Sequence, residues 1–151
     1  MKPLVINTGR INIPLVDHLG NDIGVISINP NDFNIISRSR EGFKQLSDME
    51  KEMTMIFDQE NVDISDDLVT TKLSEIDNKV RDIVDFVFDY EVSETVFKNI
   101  SCITLINVGK EIKPFVLVLM DALMPTIKEI VEKNQTIDNA KVEKYKKKYI
   151  K

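Results

Sequence analysis

The sequence predicts an α+β fold that is mainly α, about four helices, with a small N-terminal antiparallel β-hairpin. Apolar and polar residues alternate only before residue 29. From there to about residue 133 most apolar runs recur every three or four residues, the spacing of one helix face. Four of these runs open on a capping residue or a proline. At 151 residues, 42% hydrophobic and 30% charged, the chain fits one globular domain with room for a core. That domain is expected over residues 1–134, with the hairpin in 1–28 and the helices in 29–134. Residues 135–151 form a basic tail, expected to fray.

Ile11, Ile13 and Leu15 share one face of a strand over Arg10 to Val16. Ile23 to Ile28 supplies its partner, with Val25 and Ile28 among its apolar members. Gly20-Asn21 between them is the turn signal. Leu4 to Ile6 is a candidate third strand. Two strands alone are marginal, so the hairpin must lie on other structure.

Asn29 is placed to cap a first helix, Pro30 to take its first position and Asp32 to complement its dipole. Phe33, Ile36, Phe43, Leu46, Met49, Met53 and Ile56 then predict a helix from about residue 31 to 57, these residues forming one face. Gly42 within it reads as a mild weakness. Asp58 to Asp63 is a polar connection. Ser65 opens a second helix as its cap, with Asp66 and Asp67 in the first turn and Ile64 stapled onto Val69. The series Val69, Leu73, Ile76, Val80, Ile83, Val87 steps by four and three, a seam that needs another helix against it.

Ser93 repeats the capping device, with Val92 and Phe97 as the staple pair, and predicts a short helix over about 93–100. Ile100 to Val108 is apolar and β-branched, and periodicity does not decide between helix and strand there. Gly109 is a break, and Pro114 fits the first turn of a fourth helix. Phe115 to Met124 is apolar on nearly every side, so that helix is either central or half covered by another chain. Pro125 predicts a kink, after which Ile127, Ile130 and Val131 carry the helix on.

The net charge of −5 is uneven. Residues 141–151 hold six lysines and one glutamate, a local +5, which leaves −10 on residues 1–140. A body this acidic is a poor nucleic-acid binder, because such binding is driven by phosphate neutralisation. Cys102 is the single cysteine, which rules out an internal disulfide and a cysteine-rich zinc site. Beside Ile100 and Ile103 it reads as a small buried hydrophobe. The most apolar stretch is interrupted by Asp121 and too short for a bilayer, so no membrane partner is expected. The segment Met1 to Asn7 turns polar at once, unlike a signal peptide, and predicts an intracellular protein.

The residues offer little chemistry. His18 sits in the hairpin turn with neither a nucleophile nor an orienting partner beside it, so it reads as a turn residue. No phosphate-binding glycine motif is present. Asp82, Asp85 and Asp89 share a helix face, but the outer two stand about 10 Å apart along a straight helix. One cation needs its oxygen ligands closer. No catalytic residue, cofactor or metal is therefore expected. The acidic face is either solvated or a dock for a basic partner.

Phe86, Phe88, Phe97 and Phe115 flank that face. Most of them fit the core, whereas an aromatic exposed beside acids makes a docking patch. The candidate protein-binding set is Asp82, Asp85, Phe86, Asp89, Phe97, Phe115, Leu119 and Met120. Met49, Met53 and Met55 on the first helix, with Met120 and Met124 on the fourth, suit an adaptable groove. Their helical spacing favours core filling.

Three features follow one another in order. A short β N-terminus runs into Ile28-Asn29-Pro30-Asn31-Asp32-Phe33. An amphipathic helix leads to Asp82-Ile83-Val84-Asp85-Phe86-Val87-Phe88, then Ser93-Glu94-Thr95-Val96-Phe97. Gly109 is followed by Phe115 and Leu123-Met124-Pro125-Thr126-Ile127. In this order of parts, over about residues 5–133, the chain resembles the tail assembly chaperones of tailed phages and prophages of Gram-positive bacteria. Tyr90-Glu91-Val92 stands where that family commonly has a glycine bend.

The resemblance implies a non-enzymatic protein of the bacterial host cytoplasm. It implies binding to the tape measure protein, whose helices are kept soluble, and recruitment of the tail tube protein. It also implies departure before the particle matures. A homo-oligomer through the apolar fourth helix is compatible with it. Two other readings compete. One is a structural subunit, a connector or minor capsid or tail component, which a protein inventory of purified particles separates from a chaperone. The other is a metal-dependent hydrolase on the aspartate face. Unaltered activity and divalent-ion binding in Asp85→Asn would remove it.

Overall fold

The computed structural model describes residues 1–58 and 66–149, the side chains of 53, 54, 56–58, 134–142 and 149 excepted. β1 (Ile11–Val16) and β2 (Asp22–Ile28) pair antiparallel, with Ile13 opposite Ile26 and Ile11 opposite Ile28. Alternation puts Ile11, Ile13, Leu15, Ile26 and Ile28 on the face laid against the core. The Asp17 carboxylate closes the turn by accepting the Leu19 and Asn21 N–H groups, each at 2.9 Å. Gly24, opposite Leu15, meets the third helix: an added Cβ would fall 2.5 Å from the Thr95 methyl carbon. Its φ of +155° also disfavours other residues. Gly24→Ala is therefore expected to cost about 1–2 kcal/mol, read as a lower urea midpoint.

Leu4–Ile6 does not add the expected third strand, and its three side chains are exposed. The Asn29 amide donates to the Thr8 carbonyl at 2.8 Å, and the Asn7 side chain accepts the Gly9 N–H. These bonds satisfy backbone there without a sheet.

α1 (Asn34–Asp58) begins about three residues later than the Asn29-Pro30 signal implies. Asn29 instead makes a turn, its carbonyl accepting the Asp32 N–H at 3.0 Å, and Pro30 is buried ahead of the helix. The Asp32 carboxylate accepts the Asn34 N–H at 2.9 Å and takes over the capping role. α2 (Asp67–Phe88) is capped by Asp66, which accepts the Leu68 N–H at 2.8 Å. The expected cap at Ser65, the Ile64 staple and the connection before them lie outside the described residues, except for Asp58 at the end of α1. Arg38 ties the two helices together. Its guanidinium donates to the Asp32 carboxylate and to the Val87 carbonyl, each at 3.1 Å, placing a cation at the C-terminal end of α2.

The seam on α2 is as its periodicity implies: Ile76, Val80, Ile83 and Val87 are buried, with Val69 and Leu73 partly so. The helix against it is α1, but through a different face than expected. Ile35, Ser39, Gly42 and Leu46 are buried, whereas Phe33 is 75% and Phe43 38% exposed. Gly42 explains the choice. With no Cβ, it lets the α1 backbone settle onto Val87 and Ile83. The buried Ser39 hydroxyl is satisfied by the Ile35 carbonyl at 2.6 Å. Met53 and Ile56 have side chains outside the described set.

α3 (Val92–Phe97) is shorter than expected and stacks under the first hairpin. The ambiguous segment resolves into a turn and β3 (Leu105–Val108), which pairs antiparallel with β4 (Glu111–Pro114). Gly109, first of the two turn residues, has φ +63°, the pattern of a type II′ hairpin. Pro114 closes β4 rather than sitting inside the helix. α4 (Phe115–Tyr149) follows at once, and its first N–H groups are taken by loop carbonyls: Phe115 donates to Thr104 and Val116 to Cys102, both at 2.8 Å. Val116, Leu117, Leu119, Met120, Leu123, Ile127 and Val131 are buried, so the first half of α4 is central to the core. The helix runs through Pro125 and through the lysine-rich segment to Tyr149, where the composition predicts a frayed end.

Candidate functional site

The structure divides the residues proposed for docking. Asp82 and Asp89 are exposed, and Phe86 is 47% exposed on the same helix. Asp85 is turned to structural use. Its carboxylate accepts the Ser93 N–H at 2.7 Å and the Ser93 hydroxyl at 2.9 Å. It thus caps α3 from the preceding helix, while Ser93 is a donor rather than the expected cap. Phe97, Leu119 and Met120 are core residues. Phe115, partly buried, meets Phe97 edge-on with ring centroids 5.2 Å apart. Among the described residues no group of three or more His, Cys, Asp or Glu is placed to hold a metal ion.

A second polar cluster, off the seam of α2, is invisible to motif reading. The Asp77 carboxylate accepts the Cys102 N–H at 2.8 Å and its thiol at 2.9 Å, and pairs with Arg81 at 3.2 Å. Arg81 reaches on to the carbonyls of Lys98 at 3.2 Å and Ile100 at 2.7 Å, and lies over the Phe97 ring. This ties the turn at Lys98, where φ is +51°, back to α2. Burial pushes the Cys102 thiol well above the usual range, and the neighbouring carboxylate adds to this. Buried and donating to Asp77, the Cys102 thiol serves as a protonated hydrogen-bond donor. Its burial agrees with the sequence reading; its bond to Asp77 does not appear in any spacing rule.

An open groove of about 990 Å³ lies between α1 and α4. Its α1 wall carries Ile36 and Phe43, with Phe33 just before the helix; its α4 wall carries Met124 and Pro125, with the buried Met120 beneath. Arg40, Lys44 and Lys128 stand along it, with Asp121 and Glu132. Phe33 and Phe43 line it because the close approach at Gly42 turns another face of α1 toward α2. The α4 wall, Met120 to Glu132, is about 18 Å long at 1.5 Å per residue, some three helical turns. The unbranched Met124 thioether beside aromatic rings makes a surface that adapts to an apolar guest. Core filling, which helical spacing favours for the α4 methionines, holds for Met120, while Met124 is only partly buried at the groove. The aromatic wall was not legible in the sequence, since Phe33 and Phe43 follow the same spacing as core residues.

Compared with known proteins, the chain matches no family model, no curated protein and no solved structure. Among the described residues no helix is long and apolar enough to cross a membrane.

Proposed function

We propose that the chain is a non-enzymatic binding protein that holds an apolar helix of a client in the groove between α1 and α4. On this reading it serves as a tail assembly chaperone of a tailed phage or prophage in the host cytoplasm. Its client is then the tape measure protein, and the tail tube protein is a second partner. The observation that carries the proposal is the groove itself, with Phe33 left 75% and Phe43 38% exposed beside the half-buried Met124. Exposed aromatics are costly to leave in water and strong anchors once covered. The heptad seam and most of the first half of α4 are consumed within the fold, whereas the aromatic wall of this groove stays open to a client.

The test is co-expression with the gene products encoded beside it. A long helical partner kept soluble only by this chain supports the proposal. Phe33→Ser is expected to weaken that capture about tenfold with the fold intact, because a hot-spot aromatic contributes on the order of 1–2 kcal/mol. Capture unchanged by Phe33→Ser and Phe43→Ser, or a partner equally soluble alone, would overturn it.

A further inference from the structure

We infer that the groove selects an amphipathic helix whose apolar stripe is flanked by carboxylates. The inference rests on the groove being the client site and adds the client's charge. Arg40 and Lys44 project from α1 and Lys128 from α4, all three exposed along the groove. Among the described residues none of the three is engaged in a hydrogen bond or an ion pair. The groove's own carboxylates are otherwise occupied. Asp121 is held by Lys113 at 3.1 Å, and Glu132 also has a partner. Arg40 and Lys44 stand four residues apart on one helix, a like-charge pair that mildly destabilises the helix carrying it. They stand on a body whose residues 1–140 carry −10. Three uncompensated cations around an apolar floor, on an otherwise acidic protein, fit a guest that brings both an apolar stripe and negative flanks. The same acidity opposes nucleic acid as the guest.

The experiment uses two fluorescein-labelled helical peptides of about 14 residues, roughly 21 Å long. Both carry one leucine stripe; one flanks it with glutamates, the other with lysines. Binding to the full chain is read by fluorescence anisotropy. The glutamate peptide is expected to bind about tenfold more tightly at low ionic strength, and the preference to shrink about threefold on adding salt. Reversing the groove charges, R40E/K44E/K128E, is expected to invert the preference. The same change in net charge made elsewhere, K2E/K79E/K110E, is expected to leave the preference at least several-fold. Circular dichroism checks that both variants are folded.

Equal affinities overturn the inference, as does binding of neither peptide. So does a preference that both triple variants abolish alike, or a DNA duplex that competes for the groove. Self-association abolished by R40E/K44E/K128E would assign the groove to a second copy and overturn it too. Client capture retained without any peptide preference would sink the charge rule and leave the chaperone reading standing. A clear peptide preference with no captured neighbour would do the reverse.

Discussion

Gly42→Val is expected to destabilise the protein by about 3 kcal/mol or more, and Gly42→Ala by about 1–2 kcal/mol. A Cβ at position 42 overlaps the Val87 Cγ2 atom and lies 3.5 Å from the Ile83 Cγ2. Val87 is fully buried and β-branched, so its χ1 is held to one rotamer in a helix and it has no free space to turn into. The strain must then be taken up by separating α1 from α2 along the whole seam. That separation also pulls on the bond from Arg38 to the Val87 carbonyl, which joins the same two helices. Alanine recovers about 1 kcal/mol of helix propensity, which offsets part of its clash; valine recovers less and adds two methyl groups. Urea midpoints measure both. Combining Gly42→Ala with Val87→Ala is expected to cost less than the sum of the two, since removing the Val87 methyls removes the overlap. If Gly42→Ala alone stabilised the chain, the close approach of the two helices would be wrong.

Gly42 also marks where hydrophobic periodicity stops being informative. The α2 seam was legible because large apolar residues repeat along it and only one face of a helix can be covered that way. On α1 the apolar series Phe33, Ile36, Phe43, Leu46 pointed to a face that the fold leaves half open. The buried face is instead Ile35, Ser39, Gly42 and Leu46, two of them small. Helices pack by how closely their backbones come together as well as by side-chain hydrophobicity. A small residue that reads as a defect in propensity is the site of nearest approach. The second hairpin was illegible for another reason. Ile100 to Val108 satisfies both the strand and the buried-helix pattern, and its assignment depends on pairing with Glu111 to Pro114, a tertiary event. The first hairpin needed no such partner information, since its alternation and its turn lie side by side.

The candidate site was legible only in part, for the same physical reason. Helical spacing favours core filling for Met120 and Met124, which holds for Met120, and which aromatics border Met124 depends on the rotation of α1. Arg40, Lys44 and Lys128 come from helices far apart in sequence and converge only in the fold. Within the acidic set, the structural use of Asp85 is hidden from helical spacing because its partner, Ser93, is eight residues away across a helix break. Spacing rules within one helix do not reach across such a bend.

Asp77→Ala is expected to cost about 2–4 kcal/mol at neutral pH. Its carboxylate holds the Cys102 N–H and thiol, pairs with Arg81 and receives the Ser101 hydroxyl at 3.3 Å. Removing it leaves a buried N–H without an acceptor and Arg81 without its counter-charge, beside the turn that leads into the second hairpin. Asp77→Asn keeps one acceptor oxygen and the shape, and is expected to cost about half as much. The two differ further in acid. Burial acts to raise the pKa of this carboxyl. The Cys102 thiol and N–H, with Arg81, outweigh it and hold the carboxyl below its ordinary value of 3.8. The unfolded chain therefore binds the proton more tightly than the native one. The contribution is full above pH 3.8 and is lost as pH falls through the lower native value. Urea midpoints of the wild-type chain are expected to fall below about pH 4. Asp77→Asn, with nothing to titrate, is expected to lose that part of the slope, so the two curves converge in acid. Parallel curves down to about pH 2, or a cost under about 0.5 kcal/mol for Asp77→Ala, would mean that the turn at Lys98 is held by packing alone.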